Sequence, residues 1–227
     1  MDNFQYKNNK LFCEGVSVES IAKKYGTPLY LYSQNSFIER YLSIVRAFEK
    51  TEHLVCFSVK TNSNLSVLKT LVKQGAGLDI VSGGELFRAL KAGCSPKKIV
   101  YAGVGKRPDE IEYAIKIGIL LFNVESLPEL EMINKISGKL KKKTNVALRI
   151  NPDVDAKTHK YITTGKKENK FGIDLITAAK IFKSVAVGAV APNGSKKYRN
   201  INISGIHLHI GSQITLVEPY MEAVKKT

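Results

Sequence analysis

From Asn35 onward the sequence alternates between two hydrophobic periods, and that alternation restricts the fold more than any composition figure. Strand-like runs occur at His53–Lys60, Gly77–Val81, Ile99–Ala102, Leu120–Val124, Asn145–Asn151 and Ile203–Ile210. Helical patterns lie near Ser36–Phe48, Leu65–Gln74, Gly84–Ala92, Pro108–Ile117, Leu127–Ile136, Ile173–Val185 and Pro219–Lys226. Pro108 stands at a helix start, and Gly75, Gly93 and Gly118 stand at helix ends, the usual polarity of these two residues. Short strands alternating with helices of about ten residues predict βα units and a parallel sheet.

A closed (β/α)8 barrel needs eight strands and typically ~250 residues. This chain has 227 residues and six such strands, so the expectation is an α/β barrel truncated after its sixth strand. An open doubly wound sheet is the alternative, and the lack of G-x-G-x-x-G after the first strand weakens its dinucleotide-binding version. Before the barrel, an extended piece (Phe4–Phe12), a helix (Val18–Tyr25) stopping at Gly26, and a strand-prone run (Leu29–Tyr32) form a preamble. The expected division is an N-terminal segment, 1–36, and an incomplete barrel, 37–227.

Composition excludes several classes. Hydrophobic content of 44% with 24% charged residues is that of a soluble globular protein. No apolar run reaches the length of a membrane span, and the N-terminus lacks a signal-peptide core, so a cytoplasmic protein without membrane partners is expected. Cys13, Cys56 and Cys94 are odd in number and widely spaced, which predicts reduced thiols and no metal site. The formal charge of +15 is dispersed into clusters such as Lys139–Lys143, 166–167 and 196–199. Without aromatic interleaving these predict solvated surface rather than a nucleic-acid groove.

Side chains two apart on a strand share a face. Cys56, Ser58 and Lys60 share one face, and Val55, Phe57 and Val59 the other; Asp79 lies opposite Leu78 and Ile80. Arg149 lies opposite Leu148 and Ile150, and His207 and His209 lie together opposite Ile206 and Leu208. Four strands thus carry ionisable groups on one face near their C-terminal ends. In a barrel Lys60, Asp79, Arg149 and His209 converge in the mouth where such folds place their chemistry. A partly desolvated lysine is a usable amine nucleophile, and its natural partner is a carbonyl. An aldehyde cofactor such as pyridoxal phosphate serves as an electron sink for a carbanion. Asp79 and Glu85 are candidates for organising the charges, His209 offers a flat ring, and Gly211-Ser212 offers a small turn for a phosphate. A purely structural Lys60 is the competing view of the same residues.

Particular strings sharpen this picture. Phe57-Ser-Val-Lys-Thr-Asn62, Gly75-Ala-Gly-Leu-Asp-Ile-Val-Ser-Gly-Gly-Glu-Leu86, Asn151-Pro-Asp-Val-Asp-Ala-Lys-Thr-His159, Tyr161-Ile-Thr-Thr-Gly165, Lys170-Phe-Gly172 and His207-Leu-His-Ile-Gly-Ser-Gln213 resemble diaminopimelate decarboxylases. These are fold-type III pyridoxal-phosphate enzymes with an alanine-racemase-like barrel. The likeness extends over the whole chain, including Gly26-Thr-Pro-Leu-Tyr30. It implies that Lys60 is the Schiff-base lysine, His209 the ring-stacking histidine and Ser212 the residue beside the phosphate, with Asp79, Glu85 and Arg149 around the cofactor. The implied reaction is decarboxylation of meso-2,6-diaminopimelate at its D-centre to L-lysine, the last step of lysine biosynthesis, by a homodimer in the full-length form. The family continues through two more strands and a β-domain that carry further phosphate, ring-nitrogen and substrate contacts, so residues 1–227 alone are expected to lack turnover, and 1–36 to pack on that β-domain. A decarboxylase of another basic amino acid and a non-enzymatic pyridoxal-phosphate homeostasis protein are the alternatives.

Overall fold

The computed structural model describes residues 3–155, 171–186 and 198–227. The family-like strings at 156–159 and 161–165, the basic pair 166–167 and the Pro-Asn-Gly turn at 192–194 lie outside the described residues.

The preamble begins with a three-stranded antiparallel sheet of β1 (Phe4–Lys7), β2 (Lys10–Cys13) and β3 (Val16–Ser17). Its first hairpin turns through Asn8 and Asn9 at φ 48° and 61°, its second through Glu14 and Gly15 at φ 52° and 92°. Two successive positive φ values match the twist of paired strands, and Asn and Gly reach them at least cost. Helix α1 (Val18–Tyr25) starts at Ser17, whose hydroxyl accepts from Ser20 N, and stops at Gly26. Glu14 ties this sheet to α2 (Gln34–Ala47): its Oε1 accepts from Ser33 Oγ at 2.5 Å and Asn35 N at 2.7 Å. The strand expected over Leu29–Tyr32 is not there. That stretch pairs with no strand among the described residues, and Tyr30 is 90% exposed.

The main sheet takes the six expected strands in order: β4 (Cys56–Ser58), β5 (Gly77–Ile80), β6 (Ile99–Tyr101), β7 (Leu121–Val124), β8 (Thr144–Asn151) and β10 (Ile201–Leu208). All neighbours are parallel. A two-residue strand, β9 (Ile173–Asp174), pairs with the end of β8. Helices α3 (Leu65–Lys73), α4 (Gly83–Lys91), α5 (Pro108–Ile117), α6 (Leu127–Lys139) and α7 (Leu175–Ala186) connect successive strands, and α8 (Glu218–Lys226) follows β10. The strand order never reverses, so the sheet has no switch point of the doubly wound kind. It corresponds to six consecutive units of a (β/α)8 barrel.

Register assigns the two faces. Leu78, Ile80, Tyr101, Phe122, Val146 and Leu148 share one, where they pack with Leu68, Leu86, Ile111, Leu130 and Ile133 of the helices in one buried cluster. Each such side chain contributes about 1.5–3 kcal/mol by leaving water. The other face carries Ser58, Asp79, Asn123, Arg149 and His207. Beneath this core, Lys142 Nζ donates to the carbonyls of Ile115 (3.1 Å) and Lys116 (2.8 Å) at the end of α5. One lysine of the basic run is therefore a helix C-cap rather than solvated surface. No helix among the described residues is long and apolar enough to cross a membrane.

Candidate active site

The C-terminal ends of the strands form one rim. Lys60 is not on β4, which stops at Ser58, but on a 3-10 turn, Val59–Thr61. Among the described residues β4 pairs with β5 alone, from Cys56 as far as Ser58. Beyond it Thr61 Oγ1 donates to Ser58 O at 2.7 Å and Asn62 N to Val59 O at 3.1 Å, closing the turn. Val59 is fully buried and anchors it, while Lys60 is exposed. The expected partial desolvation of the lysine is therefore not provided by the described residues, because this edge of the sheet is open.

Asp79 lies beside Ser58 in register, and its Oδ2 accepts from Ser58 Oγ at 3.0 Å. Its Oδ1 is buried without a donor among the described residues. Burial pushes the Asp79 pKa up, while the Ser58 hydrogen bond and the charges of Lys60, Lys106 and Arg149 pull it down.

Glu85, expected among the charges of the site, also serves as a helix cap. It occupies the third position of α4, its N–H donates to Ser82 Oγ at 3.2 Å, and its Oε2 accepts from Val81 N at 2.8 Å. Two later units repeat the device at the same helix position. Glu110 Oε2 accepts from Arg107 N at 3.3 Å and its Oε1 from Gly83 N at 2.7 Å. Glu129 Oε2 accepts from Glu125 N at 3.1 Å, and Glu129 N donates to Ser126 Oγ at 3.3 Å. A carboxylate here satisfies strand-end N–H groups that a helix cannot use itself. Glu85 is first of all a cap, within the field of Asp79 and Lys60.

Arg149 on β8 is buried, and its Nη1 donates to both Glu125 carboxylate oxygens at 2.9 and 2.8 Å. His207 faces it in register on β10. Burial first, then the Arg149 charge, pushes His207 down to about 4. His209 stands one residue beyond β10, and burial, Arg149 and Lys60 hold its pKa below the usual histidine value. Both imidazoles are therefore neutral at physiological pH. Ser212 is exposed in the following turn. Lys60, Asp79, Glu85, Arg149 and His209 thus act on one another across a single mouth, with Ser212 on the loop beyond it. A separate cavity of about 570 Å³ lies between α2 and the β4 edge, lined by Leu31, Phe37, Tyr41 and Ile44, and meets the rim at Ser58 and Thr61.

Residues 34–227 match the family described as "Pyridoxal-dependent decarboxylase, pyridoxal binding domain". The chain belongs to that family. It is 49% identical over 222 residues to the diaminopimelate decarboxylase of Aquifex aeolicus, covering 98% of this chain and 50% of that protein. It is 45% identical over 226 residues to the Pseudomonas aeruginosa enzyme, covering 100% and 52%. The crystal structure of diaminopimelate decarboxylase from M. jannaschii in co-complex with L-lysine superposes with a TM-score of 0.87 at 38% identity, covering 99% and 51%. The chain spans about half the length of the curated relatives it matches.

The residues of the mouth fit the cofactor of this pyridoxal-binding family. Lys60 offers an exposed amine to an aldehyde, Asp79 Oδ1 is a buried acceptor without a donor among the described residues, and Lys60 and Arg149 bring positive charge for an anionic group. The structure adds residues that sequence reasoning passed over: Glu125, Lys106 and Glu129. Lys106 Nζ donates to Gly103 O (2.7 Å), Asn123 O (2.8 Å) and Glu129 Oε1 (2.7 Å). Alternation along Leu121–Val124 places Asn123 and the next residue but one, Glu125, on the Asp79 face, so Glu125 was within reach of the same rule that found Arg149.

Proposed function

We propose that this chain carries the lysine-bearing half of a pyridoxal-phosphate-dependent decarboxylase that converts meso-2,6-diaminopimelate to L-lysine. The observation that carries the reading is the exposed Lys60 amine on a rigid turn at a mouth shared with Asp79, Arg149 and His209. Its supports are the family match and relatives of that activity. A solved relative holds L-lysine, the product of the proposed reaction.

Lys60 is the residue that holds the aldehyde carbon. The bound cofactor supplies a ring that accepts the electron pair left when carbon dioxide departs. His209, kept neutral, presents its ring to the cofactor without adding a positive charge. Asp79, fixed by Ser58, offers Oδ1 to a donor from the ligand and balances the charges of Lys60 and Arg149. In this reading Ser212 and the turn around Gly211 hold the phosphate, and Glu85 acts through the cap that fixes Val81. In this reading the sequences that relatives add beyond the matched half complete the barrel, the phosphate site and a homodimer, and activity depends on them.

The test joins residues 1–227 to the C-terminal half of the Aquifex relative and measures lysine released from meso-2,6-diaminopimelate. Turnover of ~1 per second or faster, abolished by Lys60→Ala, is the expected result. Decarboxylation of ornithine or arginine in place of diaminopimelate would refute the substrate, and no decarboxylation of any amino acid would refute the activity.

A further inference from the structure

Arg149 is buried on the Asp79 face, as Lys106 is buried beside it, and its surroundings are specific. Glu125, at the end of β7, has its side chain 2% exposed against 9% for Arg149. Only Nη1 of the guanidinium contacts Glu125, so the pairing leaves the Nη2 and Nε edges unspent on it. The Arg149 guanidinium carbon also lies 5.1 Å from the Phe171 ring centroid.

Glu125 is itself clamped. Its Oε1 accepts from Gly103 N at 2.9 Å, and its own N–H donates to Glu129 Oε2. The other oxygen of Glu129 takes Lys106, whose ammonium also binds the carbonyls of Gly103 and Asn123. The loops after β6 and β7 are thereby locked around one carboxylate, and that carboxylate grips the arginine. A planar guanidinium is useful for its fixed fork, and a fork needs an orienting partner. These donors satisfy the buried carboxylate and also fix where it stands, so the Nη1 it holds is fixed too.

We propose that Glu125 is a positioning residue: it anchors Nη1 of Arg149 and so orients the remaining guanidinium edges toward an anionic oxygen of the bound cofactor. The proposal rests on the reading of this mouth as the pyridoxal phosphate site. Glu125 acts through Arg149 and does not touch the ligand.

Two measurements test it on the whole chain. In the ligand-free protein, nitrogen NMR of the Arg149 guanidinium should show hindered rotation in wild type and free rotation in Glu125→Gln, which keeps an acceptor for Gly103 N. Pyridoxal phosphate should bind Glu125→Gln roughly tenfold or more weakly, the scale on which outer-shell partners of ligands act. In an Arg149→Met background the same substitution should change affinity less than twofold, since the two residues act as one unit (couplings of ~0.5–3 kcal/mol are usual for such contacts). Arg149→Lys, a point charge without the fork, should lose affinity as Glu125→Gln does. The proposal is overturned if rotation is equally hindered in Glu125→Gln, if its loss of affinity persists in Arg149→Met, or if Arg149→Lys binds as wild type. Should wild type bind no pyridoxal phosphate, the functional reading fails while the rotation measurement still decides whether Glu125 holds Arg149.

Discussion

Lys106 Nζ sits 2.7 Å from Glu129 Oε1 with the two side chains 1% and 10% exposed, a buried ion pair joining the loop after β6 to the first turn of α6. Burial pulls the Lys106 pKa down and the Glu129 pKa up, and each partner's charge opposes this. Lys106 also lies 5.6 Å from the Tyr101 ring centroid. Lys106→Met strands a buried carboxylate and should cost about 3–5 kcal/mol, the usual penalty for breaking such a pair from one side. Removing both charges in Lys106→Met with Glu129→Gln should cost less than Lys106→Met alone. Urea unfolding of the variants measures both, and a loss under ~1 kcal/mol in the single variant would show that the pair is not a buried one.

The Asp79 face of the sheet also predicts a pH dependence. His207 titrates near 4 in the fold against an ordinary value of 6.5. Between those values the unfolded chain binds a proton that the folded chain refuses, so stability falls as pH drops from about 6.5 to about 4 and this contribution flattens below. The full effect is about 3 kcal/mol. Asp79, Glu85 and Glu129 have raised pKa values and act in the opposite sense, gaining stability on acidification. The clean observable is therefore the difference between wild type and His207→Gln across that window. A difference that does not change with pH contradicts the assignment.

Gly77 opens β5 where no side chain fits. A Cβ there would lie 2.5 Å from Lys98 O and 2.7 Å from Cys56 Sγ. Gly77→Ala must move backbone and should destabilise the chain by at least about 1–3 kcal/mol, the range for overpacking. Adding Cys56→Ala should recover only part of this, because the Lys98 carbonyl remains. Thermal melts of the two variants check the order.

The elements were legible because their signals are local. Val18–Tyr25 and Pro108–Ile117 have the expected bounds, since Ser17 and Gly26, or Pro108 and Gly118, mark the ends within a turn of the helix. The sequential parallel sheet followed from alternation alone. Lys60 was placed on the strand because hydrophobic alternation runs through Val59, and the 3-10 turn that ends β4 depends on Thr61 and Asn62 bonding backward. Strand β9 was merged into α7 because Asp174, which accepts from Thr177 N at 2.9 Å, begins the helix two residues later than its apolar pattern. Leu29–Tyr32 has strand propensity but lacks a neighbour to pair with. The site was half visible: strand-end ionisable groups show in alternation, but Arg149 and Glu125 are 24 residues apart and Lys106 and Glu129 are 23 apart. Pairings across whole βα units leave no local trace. The capping role of Glu85 was not read from the sequence, because a helix cap and a ligand contact demand the same residue at the same rim.

The most direct test of the account is where the cofactor attaches. The purified chain, incubated with pyridoxal phosphate, reduced with borohydride and digested, should carry the cofactor mass on the peptide containing Lys60, and Lys60→Arg should carry none above background. Labelling of other lysines with Lys60 unmodified would contradict the assignment of this mouth and the functional reading built on it.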